Sequence, residues 1–370
     1  PTLADPWRPR RPERATWLAH EPLGAFRPPA PGTGIGPSPY SASSRRFPSA
    51  LYLRVEDVPG AELVAADVAA AASAGRALLA ERRIDRDEVW RLKSAALGAV
   101  WAAVRDQVLE EERRSVPDPT LEVHARFCAI AEVYAGSWRD WPAALRRPDA
   151  DGTERFAEEH ADRVDFWRWV TRATSDQLAA AASAGARLVG DLAVGFDPGG
   201  ADAWADQDLL AEGCRIGAPP DDFAPQGQDW GLTPYAPWRL RADGYRSWLA
   251  TLRAGLRHAG ALRIDHVMGL FRLYWVPPGA TATDGTYVSQ FGTELLDLAV
   301  MEAARVGASL VGEDLGTVEP TVRDELGRRN VLGYRIGWFE DAPPGEWPAL
   351  SLASTTTHDL PTVAGLWTGA

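Results

Sequence analysis

From residue 185 onward the chain repeats one pattern: a short apolar run broken off by polar or acidic residues, then a stretch with helical spacing. The runs are RLVGDLAV (187–194), ALRIDHV (261–267), SLVGEDLG (309–316), YRIGWF (334–339) and LASTTTH (352–358). Helical stretches lie between several of them, at 245–258 and 294–306. Strands that alternate with helices pair in parallel through crossovers. Asp191, Asp265, Glu313 and Asp359 stand in or just after four of the runs. Acids near the C-terminal ends of successive strands point to an α/β fold of the (β/α)8, TIM-barrel type, whose active site gathers at that face.

The first half reads differently. Residues 1–37 hold nine prolines, several arginines and no apolar period, so they are expected to be irregular. A strand-like run, ALYLRV, covers 50–55. Residues 61–182 are expected to be mainly helical, as a large insertion into the barrel. Within them, 67–82 is rich in Ala and Leu, and 87–108 places Val89, Leu92, Ala96 and Val100 on one stripe. Residues 164–178 do the same with Phe166, Trp169, Val170 and Ala173, and breaks containing proline fall at 116–119 and 146–151.

Composition narrows the class. The net charge of −12 disfavours nucleic acid and anionic membrane surfaces as partners. No apolar run of about 18 residues or more is apparent, so no membrane span is expected. Two cysteines, Cys128 and Cys214, suggest neither a metal site nor a disulfide framework, which fits a cytoplasmic location. Most of the 16 tryptophans should be core, with a few left to stack on sugar rings.

Any one of the four acids, taken alone, is ordinarily a solvated strand-end group or a helix cap. Four in series on separate strands would meet at one barrel mouth, where their repulsion needs a reason. Retaining glycoside chemistry supplies one. One carboxylate attacks the anomeric carbon and another protonates the leaving oxygen, the two lying roughly 5–5.5 Å apart. Arg263 stands two residues before Asp265 and so shares its face of a strand. A guanidinium there would hold Asp265 charged and oriented. Crowding by other carboxylates would raise the acid's pKa.

Several long segments resemble the amylomaltases, the 4-α-glucanotransferases of glycoside hydrolase family 77. They are SPYSASSRR (38–46), GDLAVGFDPGGADAW (190–204), GAPPDDFAPQGQDWG (217–231), ALRIDHVMGLFRLYWVPPG (261–279), VGEDLGTVEP (311–320) and TTTHDLPT (355–362). The wording is nearest to the longer bacterial subtype, and the resemblance covers 38–370. It implies that Asp265 is the nucleophile, Glu313 the general acid/base and Asp359 the transition-state stabiliser with His358 beside it. It further implies that Arg263 orients Asp265, that Tyr40 stacks on the sugar with Ser38 along the same wall, and that Asp191, Gln228 and Trp230 contact neighbouring glucose units. His266 is a further candidate for reaching the sugar. Substrates would be maltooligosaccharides and α-1,4-glucans, with no cofactor and no metal.

Two departures from the pattern shape the expectations. Residues 1–37 match nothing in the family, and the chain stops 11 residues beyond Asp359. The barrel is therefore expected to lack its first two strands and its last, in a truncated chain that is unstable or inactive alone. Two other activities compete: an α-amylase-type retaining hydrolase, and a glucan-binding fragment without activity.

Overall fold

The computed structural model describes residues 16–18, 24–81, 83–184, 187–222, 224–316, 318–357 and 360–369. Among these residues the strands are, in chain order, β1 (Thr16–Leu18), β2 (Gly24–Ala25), β3 (Ser44–Pro48), β4 (Arg187–Leu192), β5 (Arg215–Ala218), β6 (Gln228–Leu232), β7 (Ala261–Ile264), β8 (Arg272–Val276), β9 (Thr286–Ser289), β10 (Ser309–Gly312), β11 (Gly333–Ile336) and β12 (Ser351–Ser354). β1, β4, β7 and β10 form a parallel sheet in that order. A parallel bridge between Val311 and Leu332 leads into β11, which pairs in parallel with β12. All five apolar runs read beyond residue 185 thus contain strands, and all five strands are parallel.

The helices separate into two groups. α1 (Ala65–Ala77), α2 (Arg86–Glu112), α3 (Pro119–Val133), α4 (Asp151–Glu159) and α5 (Ala161–Ser183) make a helical block with its own core. α6 (Ala201–Ala205), α7 (Pro237–Ala242), α8 (Arg246–Leu256), α9 (Gly292–Val306), α10 (Pro320–Arg328) and α11 (Val363–Thr368) are spread through the strand-bearing part. Asp85 starts α2 by accepting from the Glu88 amide at 2.9 Å. Asp118 caps α3 by accepting from Thr120 and Leu121, with Pro119 at the first turn. Such caps satisfy amides that have no partner inside a helix. Trp90, Trp101, Trp141, Trp167, Trp169 and Trp204 all pack into the helical core. A second core lies between the parallel strands and α8, α9 and α10, around Leu252, Leu262, Leu296 and Leu326.

Four sequence expectations need correcting. Residues 1–37 are not irregular throughout: β1 pairs with β4 in register Thr16 to Arg187, and β2 pairs with β3. The run 50–55 is not a strand but two short 3-10 turns, Ala50–Tyr52 and Val55–Asp57. The carbonyls of Leu51 and Leu53 accept from the Lys93 ammonium at 2.5 and 2.9 Å instead of from a neighbouring strand. The buried stripe of α2 runs through Trp90, Ala96, Leu97, Val100, Trp101 and Val104; it keeps Ala96 and Val100 of the expected stripe but leaves Val89 and Leu92 only partly buried, as Trp90 and Trp101 bring the larger apolar surfaces to the core. Finally, a helix over 61–80 has the length and mean hydropathy (1.5) to cross a membrane. It is half alanine, contains Glu62, Asp67 and Arg76, and packs on α2 through Val68, so it is weak evidence for a span.

A second sheet was not foreseen. β6, β5, β8 and β9 pair antiparallel in that order. The chain reaches β8 directly from the turn after β7.

Candidate active site

Register brings the acids together before any side chain is considered. Asp191 of β4 lies opposite Arg263 of β7, and Arg263 lies opposite Val311 of β10. The ladder runs one residue past each strand. The Asp265 amide donates to the Leu192 carbonyl and the Glu313 amide to the Ile264 carbonyl, both at 3.0 Å. Residues two apart on a strand share a face. Arg263 and Asp265 therefore point the same way, with Asp191 level with the first and Glu313 level with the second.

The side chains complete the cluster. Arg263 divides its guanidinium: Nη1 donates to Asp191 Oδ1 at 2.6 Å and Nη2 pairs with Asp265 Oδ1 at 2.9 Å. The three side chains are 8%, 2% and 19% exposed respectively, a nearly dry ionic group. The Tyr40 hydroxyl donates to the other oxygen of Asp191 at 2.9 Å. The guanidinium carbon of Arg263 sits 5.5 Å from the centre of the Tyr334 ring. Farther along the same segment, Ser44 and the Arg45 amide both donate to buried Asp202 near the start of α6.

Glu313 is held by backbone alone among its hydrogen bonds. Its Oε2 accepts from the His266 amide at 2.9 Å and its Oε1 from the Leu315 amide at 2.8 Å. His266 adopts a left-handed backbone, φ 48°, unusual for a residue with a side chain. That turn, just after Asp265, aims the amide at Glu313. The His266 ring meets Trp230 edge-on at 5.4 Å, and Trp230 donates to Gln228 at 2.9 Å.

Burial dominates the electrostatics. It pushes Asp265 up to about 7. The Arg263 cation opposes it, while Asp191 and Glu313 reinforce it. Arg263 is shared, so its pull on Asp265 does not outweigh the loss of water. Glu313 is also raised by burial, against the pull of the Leu315 amide, Arg263 and the His266 amide. Burial lowers His266 to about 4, leaving a neutral ring near pH 7. Both carboxyl groups are biased towards their protonated forms, Asp265 beside a guanidinium and Glu313 beside two backbone amides.

The structure gathers Tyr40, Asp191, Arg263, Asp265, His266 and Glu313, with Gln228 and Trp230 joined through His266. Ser38 is exposed, its carbonyl accepting from the Ser41 amide at 3.2 Å in the turn that carries Tyr40. His358 and Asp359 lie outside the described residues. Sequence reasoning missed Tyr334 and Asp314. Tyr334 follows Leu332, the bridge partner of Val311, by two residues and so comes level with Glu313. No group of three or more His, Cys, Asp or Glu side chains suited to a metal occurs among the described residues.

The family model for 4-alpha-glucanotransferase, glycoside hydrolase family 77, matches residues 13–370. This chain belongs to that family. The match includes β1, so the segment ahead of residue 38 is not foreign to it. A 4-alpha-glucanotransferase of Mycobacterium tuberculosis is 44% identical over 96% of this chain and 52% of its own length. One from Haemophilus influenzae is 32% identical over 92% of this chain and 53% of its own length. The crystal structure of amylomaltase from Corynebacterium glutamicum superposes with a TM-score of 0.78 at 34% identity, covering 94% of this chain and 50% of that one. Amylomaltase from Streptococcus agalactiae in complex with acarbose shares the fold, with a TM-score of 0.74 at 18% identity over 96% of this chain and 74% of that one. The chain spans about half the length of these curated relatives.

Proposed function

We propose that this chain carries the catalytic face of a retaining 4-α-glucanotransferase acting on maltooligosaccharides and α-1,4-glucans. The observation that carries the reading is the pair Asp265 and Glu313 on one level of adjacent parallel strands, with Arg263 bound to Asp265. In this reading the parallel strands belong to a (β/α)8 barrel and the helical block is an insertion into it.

Asp265 attacks the anomeric carbon as Glu313 gives its proton to the departing 4-oxygen. The C1–O4 bond breaks and a glucosyl ester of Asp265 forms. Glu313, now ionised, takes the proton from an acceptor 4-hydroxyl, which displaces Asp265 from C1. Two backbone amides already aim at Glu313, so its ionised form has partners ready when it arises. Asp359 and His358 are assigned to the sugar hydroxyls on the strength of the TTTHDLPT segment. Tyr40 and Trp230 offer the flat surfaces on which glucose rings stack.

Incubation with maltotriose tests the proposal. A ladder of longer and shorter maltooligosaccharides, absent in D265N, is the expected result. Glucose and maltose alone would mean hydrolysis, and no turnover at all would remove the assignment from this chain.

A further inference from the structure

Asp314 stands beside Glu313 yet has no part in the chemistry above. Its side chain is 2% exposed, and it joins three elements. Oδ1 accepts from the Tyr334 amide of β11 at 2.8 Å. Arg335, also on β11, lies within 3.3–3.4 Å of both oxygens. Arg323 of α10 donates to Oδ2 at 3.2 Å and reaches the Asp314 carbonyl at 3.4 Å. A buried carboxylate with charged partners is weak evidence for stability, because its desolvation offsets most of the attraction. Its placement says more. The Tyr334 amide that it holds belongs to the residue whose ring faces Arg263, and the next amide along the chain, Leu315, bonds to Glu313.

We propose that Asp314 is a positioning residue for glucosyl transfer: by clamping the end of β10 to β11 and α10, it holds Glu313 where it can protonate the leaving oxygen. This rests on the glucanotransferase reading. The groups facing Glu313 include Arg263 and Asp265 from β7 and the turn after it, His266 from that same turn, Tyr334 from β11, and Asp314 itself; those facing Asp314 include Arg323, Tyr334 and Arg335.

Two donors separate positioning from mere folding. Maltotriose needs a proton on its leaving oxygen. In α-maltosyl fluoride, attack by Asp265 expels fluoride as the anion, and no proton from Glu313 is required. The test compares single-turnover rates for both donors in the full chain, in D314N, in R323A and in E313Q as reference. D314N should lower the maltotriose rate by about 10- to 100-fold while fluoride release stays within about threefold. R323A, which alters only the half-exposed arm of the clamp, should show the same split, smaller in size, and carries the test if D314N does not fold. Equal losses on both donors, or no loss on either, would overturn the role of Asp314. A wild-type chain that releases fluoride and converts maltotriose, with an E313Q that loses both equally, would overturn it through Glu313. A wild-type chain inert to both donors would overturn the glucanotransferase reading and Asp314 with it.

Discussion

Replacing Asp265 by asparagine should make the protein more stable, by an amount that grows from about pH 4 to about pH 7 and then levels off. Burial raises Asp265 from an ordinary 3.8 to about 7 in the folded chain. A carboxyl group with a raised pKa binds its proton more tightly when folded than when unfolded. Between pH 3.8 and about 7 the folded state therefore holds more protons, and its stability falls as pH rises. Below that window the group is neutral in both states and carries no penalty. Above it the full penalty applies: about three pKa units at about 1.4 kcal/mol each, or ~4 kcal/mol. With the side chain 19% exposed, solvent screening brings this to about 2–4 kcal/mol. Asparagine has nearly the shape of the protonated acid, and Arg263 keeps its bond to Asp191. D265N should match wild type near pH 4, gain steadily up to pH 7 and level off above it. Urea unfolding followed by tryptophan fluorescence at pH 4 to 8 measures the difference. A D265N no more stable than wild type at pH 8, or a difference independent of pH, would refute the reasoning.

The same pKa sets an acid limb. Fluoride release from α-maltosyl fluoride, which needs Asp265 ionised, should rise with pH to half its maximum near 7. D191N removes a carboxylate that raises Asp265, so this limb should move to lower pH; a limb that stays put would show that Asp191 does not act on Asp265. Y40F keeps the ring and loses the hydroxyl bound to Asp191, so it should retain more maltotriose transfer than Y40A, which removes the stacking surface as well; equal activities would exclude stacking as its role. Leu252 is fully buried in the core behind the parallel strands, and L252A should destabilise by about 2–5 kcal/mol. Leu63 is 64% exposed, and L63A should fall within about 0.5 kcal/mol of wild type in the same urea titration.

What could be read from the residues follows from where each element finds its partners. β7 and β10 are buried almost throughout, as parallel strands covered on both faces are, and β4 buries Val189 and Leu192. β8 is as apolar as these, with Leu273 to Val276 all buried, but its sequence runs on from the turn after β7 and has no separate signal. β6, Gln228–Leu232, is polar and holds a glycine, and its strand character comes from pairing with β5 alone. Residues 50–55 failed for the opposite reason. Their β-branched and aromatic content favours a strand locally, yet Lys93, about 40 residues away, takes the carbonyls that a strand would need.

The site divides along the same line. Asp265, Glu313 and Arg263 were legible because their chemistry and their distance from strand ends are both written locally. Tyr334 and Asp314 were not, because their importance depends on which strand lies beside β10. One bridge, Val311 to Leu332, decides it: it sets Tyr334 level with Glu313 and places the Tyr334 amide on Asp314. A one-residue slip there would turn the Tyr334 ring to the other face and leave Arg263 without it. The ladder thus does more than carry the acids to one edge. It fixes which buried carboxylate pairs with a guanidinium and which is hydrogen-bonded by amides, the difference on which the proposed division between nucleophile and acid rests.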